Sequence, residues 1–245
     1  MHPIICKLGP LTIYSYGLML ALAFAATVFL LSREAKNQGV NQELIFNLSF
    51  IILISGIIGA RLLYVLSNLG FYLENPGEIF MLTHGGLSWF GGLILGTFVC
   101  MVYLKRKKQK IYKIFDMFAP YLALAQAIGR VGCFLNGCCF GKESLRFGLY
   151  FPIHNKILIP TQLYSSLALL LIYIILRMKQ SREHSRGEIF YFYIFLYSLW
   201  RFFIEFFRND SQIFIYGLTL FQVISIVLFI LSVALLSFIK KPKTN

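Results

Sequence analysis

The chain has 245 residues, 58% of them hydrophobic and only 13% charged, with a mean hydropathy of +0.72; a soluble globular chain carries roughly 25% charged residues, so a water-soluble fold does not fit. The formal net charge of +13 does not point to nucleic acid, because the basic residues sit in short clusters between apolar runs, where membrane orientation and anionic lipid account for them. Apolar runs of about 18 residues or more recur where a barrel would show about 10-residue alternating segments, so the expected class is all-α, a polytopic transmembrane helical bundle forming one integral membrane domain over 1–245.

The first apolar run lacks a basic N-terminal flank and a small-residue cleavage site, so it is expected to remain as the first helix. Seven segments follow in chain order, at about 11–31, 44–66, 87–104, 114–135, 161–177, 188–207 and 218–239. Alternate connections are basic. Arg33 and Lys36 follow the first segment, the run from Lys105 to Lys113 follows the third, Arg177, Lys179, Arg182 and Arg186 follow the fifth, and Lys240, Lys241 and Lys243 follow the seventh. The opposite connections hold only Lys7, Lys142, Arg146, Lys156 and Arg208. By the positive-inside rule the N-terminus lies outside and the C-terminus in the cytoplasm, which requires an odd number of spans; seven satisfies it. The expected place is a bacterial cytoplasmic (inner) membrane.

Arg61, Arg130 and Arg201 fall within apolar segments, where a charge is costly and marks function by default. Each is five or six residues from the outer end of its segment, roughly 7 to 9 Å below that boundary at about 1.5 Å per residue. Tyr16 and Glu205 fall in the same layer. Lone arginines near helix ends snorkel to the interface, but three on different segments at one depth predict a pocket facing the outer leaflet. Guanidinium forks suit a phosphate, and a phospholipid headgroup is the available anion. Glu205, four residues after Arg201 on one helix face, is expected to pair with it.

Four stretches resemble the prolipoprotein diacylglyceryl transferase family. They are the opening from Leu8 to Leu18 with Tyr16-Gly17; Gly59-Ala60-Arg61 to Tyr64 followed by Gly85-Gly86 to Leu93; Gly129-Arg130-Val131-Gly132-Cys133-Phe134-Leu135-Asn136-Gly137; and Tyr197 to Arg208 containing Arg201 and Glu205, with Asp210 and Gln222 beyond. Their order covers almost the whole chain. The resemblance implies transfer of the diacylglyceryl group of phosphatidylglycerol to the lipobox cysteine thiol of a secreted prolipoprotein, forming a thioether and releasing glycerol phosphate. It places Arg130 and Arg201 on phosphatidylglycerol-contacting positions. Asn136, Tyr197, Arg208, Tyr16 and Glu205 fall on motif positions in support, and Arg61 is a lesser phosphate candidate. The rivals are a paralogue with another acceptor and a non-catalytic lipid-binding or transport protein, although no internal repeat of the transporter kind is visible.

Two departures stand out. The family's usual histidine before Gly91-Gly92 is Phe90, which removes the usual candidate base; His84, Tyr16 or activation of the thiol by arginine alone are the alternatives. The family's usual asparagine after Arg-X-Gly is Cys133, and its acidic residue after Asn-Gly is Cys138, followed by Cys139. These three thiols fit a tight packing turn, a disulfide or a transient acceptor. Their spacing matches no common zinc pattern, so the expectation is chemistry with neither metal nor other cofactor.

Overall fold

A computed structural model describes residues 1–8, 11–81, 85–209 and 212–239. In chain order the elements are β1 (Ile4–Leu8), β2 (Leu11–Tyr14), α1 (Ser15–Asn37), α2 (Gln42–Ser67), α3 (Leu69–Glu74), a 3₁₀ turn (Pro76–Phe80), α4 (Trp89–Arg106), α5 (Ile111–Asn136), β3 (Leu149–Phe151), β4 (Lys156–Leu158), α6 (Thr161–Gln180), α7 (Glu188–Glu205), β5 (Ile213–Ile215), β6 (Leu218–Thr219) and α8 (Leu220–Phe238). Among the described residues the strands form three antiparallel two-stranded hairpins, β1–β2, β3–β4 and β5–β6. Two compact units are present, residues 1–31 with 112–245, and residues 32–111.

Among the described residues six helices, α1, α2, α4, α5, α6 and α8, are long and apolar enough to cross a membrane. α8 shows what solvent the sequence was built for. Its 19 residues span about 28 Å, close to the roughly 30 Å hydrocarbon thickness, and its buried positions are Gln222, Ser225 and Ser232. Ile230 and Leu231 are instead 60% and 52% exposed. A helix with polar residues inward and leucines outward is stable only where the surroundings are apolar. The serines satisfy themselves on the preceding turn, Ser225 Oγ donating to Phe221 O at 2.7 Å and Ser232 Oγ to Phe229 O at 2.8 Å. α7 is 18 residues long but carries Glu188, Arg201 and Glu205.

In the larger unit, α5, α6 and α7 share a core of Ala119, Ala123, Ala127, Leu169, Ile172, Leu176, Ile189 and Tyr193. The three alanines, spaced at four residues, leave a shallow stripe on α5 that lets the bulkier neighbours close in. α7 starts at Gly187, whose φ of +88° turns the chain into the helix. Asp116 of α5 caps that start, accepting from Gly187 N at 2.5 Å and from Phe190 N at 2.9 Å. α8 is started by a reciprocal capping box between Thr219 and Gln222, and Phe229 of α8 stacks on Phe195 of α7 with ring centroids 5.1 Å apart.

In the smaller unit, α2 packs on α4 through glycines. A Cβ at Gly59 would lie 2.4 Å from the Gly91 carbonyl oxygen, and one at Gly91 would lie 2.2 Å from that of Gly59. Backbone meets backbone here, so neither neighbour can yield. Gly59→Ala is expected to separate α2 from α4 and cost about 1–3 kcal/mol. The check is a lower Tm of the helical circular dichroism signal in detergent, with Gly70→Ala, which has open space around it, as the control.

Candidate functional site

Arg201 sits on the last turn of α7 with its side chain only 11% exposed, and its Nη2 lies 2.9 Å from Oε2 of Glu205, one turn on. The i, i+4 pairing expected from the sequence is therefore present. Glu205 is a hub. Its side chain is 1% exposed, Arg208 Nε reaches the same Oε2 at 3.8 Å, and Thr219 Oγ1 donates to Oε1 at 3.0 Å. Thr219 thus caps α8 and ties it to the end of α7. The Arg201 guanidinium also stacks on Phe221, 4.5 Å from the ring centroid, which shields it from competing solvent.

Arg130, on α5, belongs to the same electrostatic neighbourhood: Glu205, Arg208, Tyr197 and Arg130 all act on Arg201, and Arg130 acts in turn on Tyr16 of α1. Arg130 and Arg201, expected on different spans, therefore feel one another's charge. Tyr16 packs beside Gly132, where a Cβ would come within 3.4 Å of the tyrosine ring and 2.9 Å of Met19 Cβ. Gly132 is what allows α1 to approach α5 next to Arg130.

Beyond α5, the turn from Asn136 to Lys142 folds back onto the end of α7. Lys142 N donates to Phe207 O at 2.8 Å, Gly141 N to Ile159 O at 2.9 Å and Asn209 N to Phe140 O at 3.4 Å. Gly137 and Cys139 take positive φ, +73° and +62°, which makes the reversal. Gln162 Nε2 donates to Cys138 O at 2.6 Å and Thr161 Oγ1 to Cys139 O at 2.8 Å, while a His154 ring nitrogen meets Gly137 O at 2.8 Å. The Asn136 side chain hydrogen-bonds Cys138. Cys133, Cys138 and Cys139 are free thiols, and hydrogen bonds from Cys133 and Cys138 hold the Cys139 thiol well below its usual range, with Arg208 and Arg130 acting in the same direction.

Arg61 does something else. Within the smaller unit its Nε donates to Ile79 O at 3.0 Å, Nη1 to Gly85 O at 2.6 Å and Gly86 O at 3.0 Å, and Nη2 to Glu78 O and Met81 O. All five N–H donors of a guanidinium are thereby spent, and the group also lies over Tyr72, 5.3 Å from the ring centroid. Arg61, the lesser phosphate candidate of the sequence, thus organises the segment between α3 and α4. His84, a candidate base, lies outside the described residues, as do Asp210 and the Lys240 to Asn245 tail. Thr161, Gln162, His154 and Thr219 carry no signal of their own in the sequence, yet they fix the site's backbone.

Comparison with known proteins gives the same reading as the motifs. The family model for prolipoprotein diacylglyceryl transferase matches residues 3–238. A Clostridium tetani protein named phosphatidylglycerol–prolipoprotein diacylglyceryl transferase is 36% identical over 218 residues, 86% of this chain and 87% of that protein. Proteins of the same name from Bacillus licheniformis and Streptococcus pyogenes serotype M5 are 34% identical over 97% of this chain and 92% of the relative, and 35% identical over 94% and 92%. Matching the family model from its third residue to the last described turn of α8, the chain belongs to the prolipoprotein diacylglyceryl transferase family.

Proposed function

We propose that this chain transfers the diacylglyceryl group of phosphatidylglycerol to the lipobox cysteine thiol of a secreted prolipoprotein, within one multi-pass domain of a bacterial cytoplasmic membrane. The thiolate sulfur attacks the glyceryl carbon that bears the phosphate, that C–O bond breaks, and glycerol phosphate departs. The observation that carries this reading is the charge balance around Arg201. Two guanidinium groups, those of Arg201 and Arg208, flank the single carboxylate of Glu205, and the Arg130 charge acts on Arg201 as well, so positive charge is in excess. Phosphatidylglycerol brings one negative charge, and the leaving phosphate monoester develops a second as the C–O bond opens. Such a site favours the separating state over the bound lipid, which is the requirement for rate acceleration. Tyr16, Asn136 and Tyr197 orient these groups, and Glu205 holds Arg201 and Arg208 in place.

The same reading takes α7 as a seventh span, with the N-terminus outside, the C-terminus in the cytoplasm and the site toward the outer leaflet. Its support is the internal pairing of α7's charges, Arg201 with Glu205, and Glu188 with Lys179 at 2.5 Å, together with the alternating basic connections. In the test, purified protein, labelled phosphatidylglycerol and a lipobox peptide yield a thioether-linked diacylglyceryl peptide, and a peptide with serine for cysteine yields none. No product from the cysteine peptide would overturn the assignment.

A further inference from the structure

The three cysteines after Arg130 form more than a packing turn. Their Sγ atoms all lie within 4.8 Å of one another, although residues 133 and 139 are separated by a helix end and a reversal. A zinc ion bound at about 2.3 Å by three thiolates at tetrahedral angles requires sulfurs about 3.8 Å apart, so side-chain rotations of about 1 Å would close the set. The backbone beneath is already fixed. Cys138 N donates to Cys133 O at 3.1 Å, Gln162 and Thr161 hold the Cys138 and Cys139 carbonyls, and Cys139 is kept in a left-handed conformation that a non-glycine residue adopts only when its surroundings enforce it. Gln162 Oε1 is buried without a hydrogen-bond partner among the described residues, so this amide is committed to holding the turn through its nitrogen alone.

We propose that Cys133, Cys138 and Cys139 are the three protein ligands of a zinc-type cation whose fourth position is open to the acceptor cysteine thiol. Three protein ligands with one open place is the pattern of a catalytic rather than a structural zinc site, and soft thiolate ligands select such a cation. A thiol entering the open place is deprotonated outright by coordination. Its proton leaves to water or to the departing phosphate monoester, the sulfur keeps the electron pair that forms the new C–S bond, and no oxidant or reductant is needed. This supplies the thiolate that the histidine replaced by Phe90 would otherwise generate. The cation with three thiolates carries one net negative charge, which Arg130 and Arg208, both acting on Cys139, offset. The same Arg130 faces the lipid phosphate, so nucleophile and leaving group are placed side by side. Linear spacing concealed the site, because the third ligand arrives through the positive-φ residues Gly137 and Cys139 rather than at a zinc-motif interval.

The inference rests on the transferase reading, yet its test is spectroscopic. Full-length protein in detergent with phosphatidylglycerol, reduced and freed of metal by a chelator, is titrated with Co²⁺ as the probe. The expected result is a thiolate-to-cobalt absorption band saturating at one equivalent. Cys133→Ser, Cys138→Ser or Cys139→Ser each weakens binding by more than about tenfold, whereas the double variant Cys6→Ser, Cys100→Ser keeps the band. A lipobox peptide shifts the cobalt spectrum and its serine analogue does not. No band in the unaltered protein, or a band that survives Cys139→Ser, overturns the metal site, and a spectrum indifferent to the cysteine peptide overturns the open place. Full thioether formation by the chelator-treated protein would overturn the activation while leaving the transferase assignment standing.

Discussion

Alanine at Arg130 or at Arg201 is expected to slow thioether formation by about 10²- to 10³-fold, the loss that follows removal of one preorganised donor from a site of developing charge. The effect belongs mainly in kcat. The lipid headgroup has one negative charge when bound and the leaving phosphate gains a second, so each guanidinium contributes more to the separating state than to the resting complex. Lysine at either position keeps the charge but loses the planar fork, and an intermediate rate is expected. Arg201→Ala also removes one of the two cations on Glu205, whose Oε2 lies 2.9 Å from Arg201 and 3.8 Å from Arg208; Arg130→Ala leaves that pair intact and is the cleaner probe. Steady-state kinetics with phosphatidylglycerol and a lipobox peptide, on variants whose Tm is first compared with that of the unaltered protein, checks the prediction. Wild-type kcat in Arg130→Ala would remove Arg130 from the chemistry.

The long helices were legible because lipid imposes a simple rule: long apolar runs, broken by charge, become helices. The segments read as 44–66 and 161–177 are α2 (Gln42–Ser67) and α6 (Thr161–Gln180), whereas the segment read as 11–31 opens on strand β2 and its helix runs from Ser15 to Asn37. The hairpins were not legible. Leu149–Phe151 and Lys156–Leu158 are three-residue strands, too short for alternation to show, and the second is tied to the segment before them, Ile159 N donating to Lys142 O at 3.0 Å and Ser144 N to Ile157 O at 3.2 Å. Charge pairing on one helix was visible, since Arg201 and Glu205 are four residues apart. Contacts to backbone were not. Arg61 has the same residue type and nominal depth as Arg130, and the difference is five carbonyls from residues 78–86, groups that every residue carries and no motif encodes.

Glu205→Gln is expected to be the most destabilising conservative change in the site. It removes the negative charge between Arg201 and Arg208, whose side chains are 11% and 12% exposed, and leaves two guanidinium groups facing each other in a poorly solvated place. Removing one partner of a buried pair costs about 3–5 kcal/mol; the small residual exposure of the arginines places the loss toward the lower figure. Glutamine can still accept the Thr219 hydroxyl, so the link between α7 and α8 survives and the deficit is electrostatic. The compensating double variant separates structure from chemistry. Arg201→Met with Glu205→Met replaces the closer pair by apolar groups of similar length and is expected to recover most of the lost stability, because a buried ion pair contributes little over a well-packed hydrophobic one. It is not expected to recover transfer, since Arg201 is gone. Thermal unfolding in detergent measures the first effect and thioether formation the second. Normal stability together with abolished transfer in Glu205→Gln would instead make Glu205 a proton acceptor in the reaction.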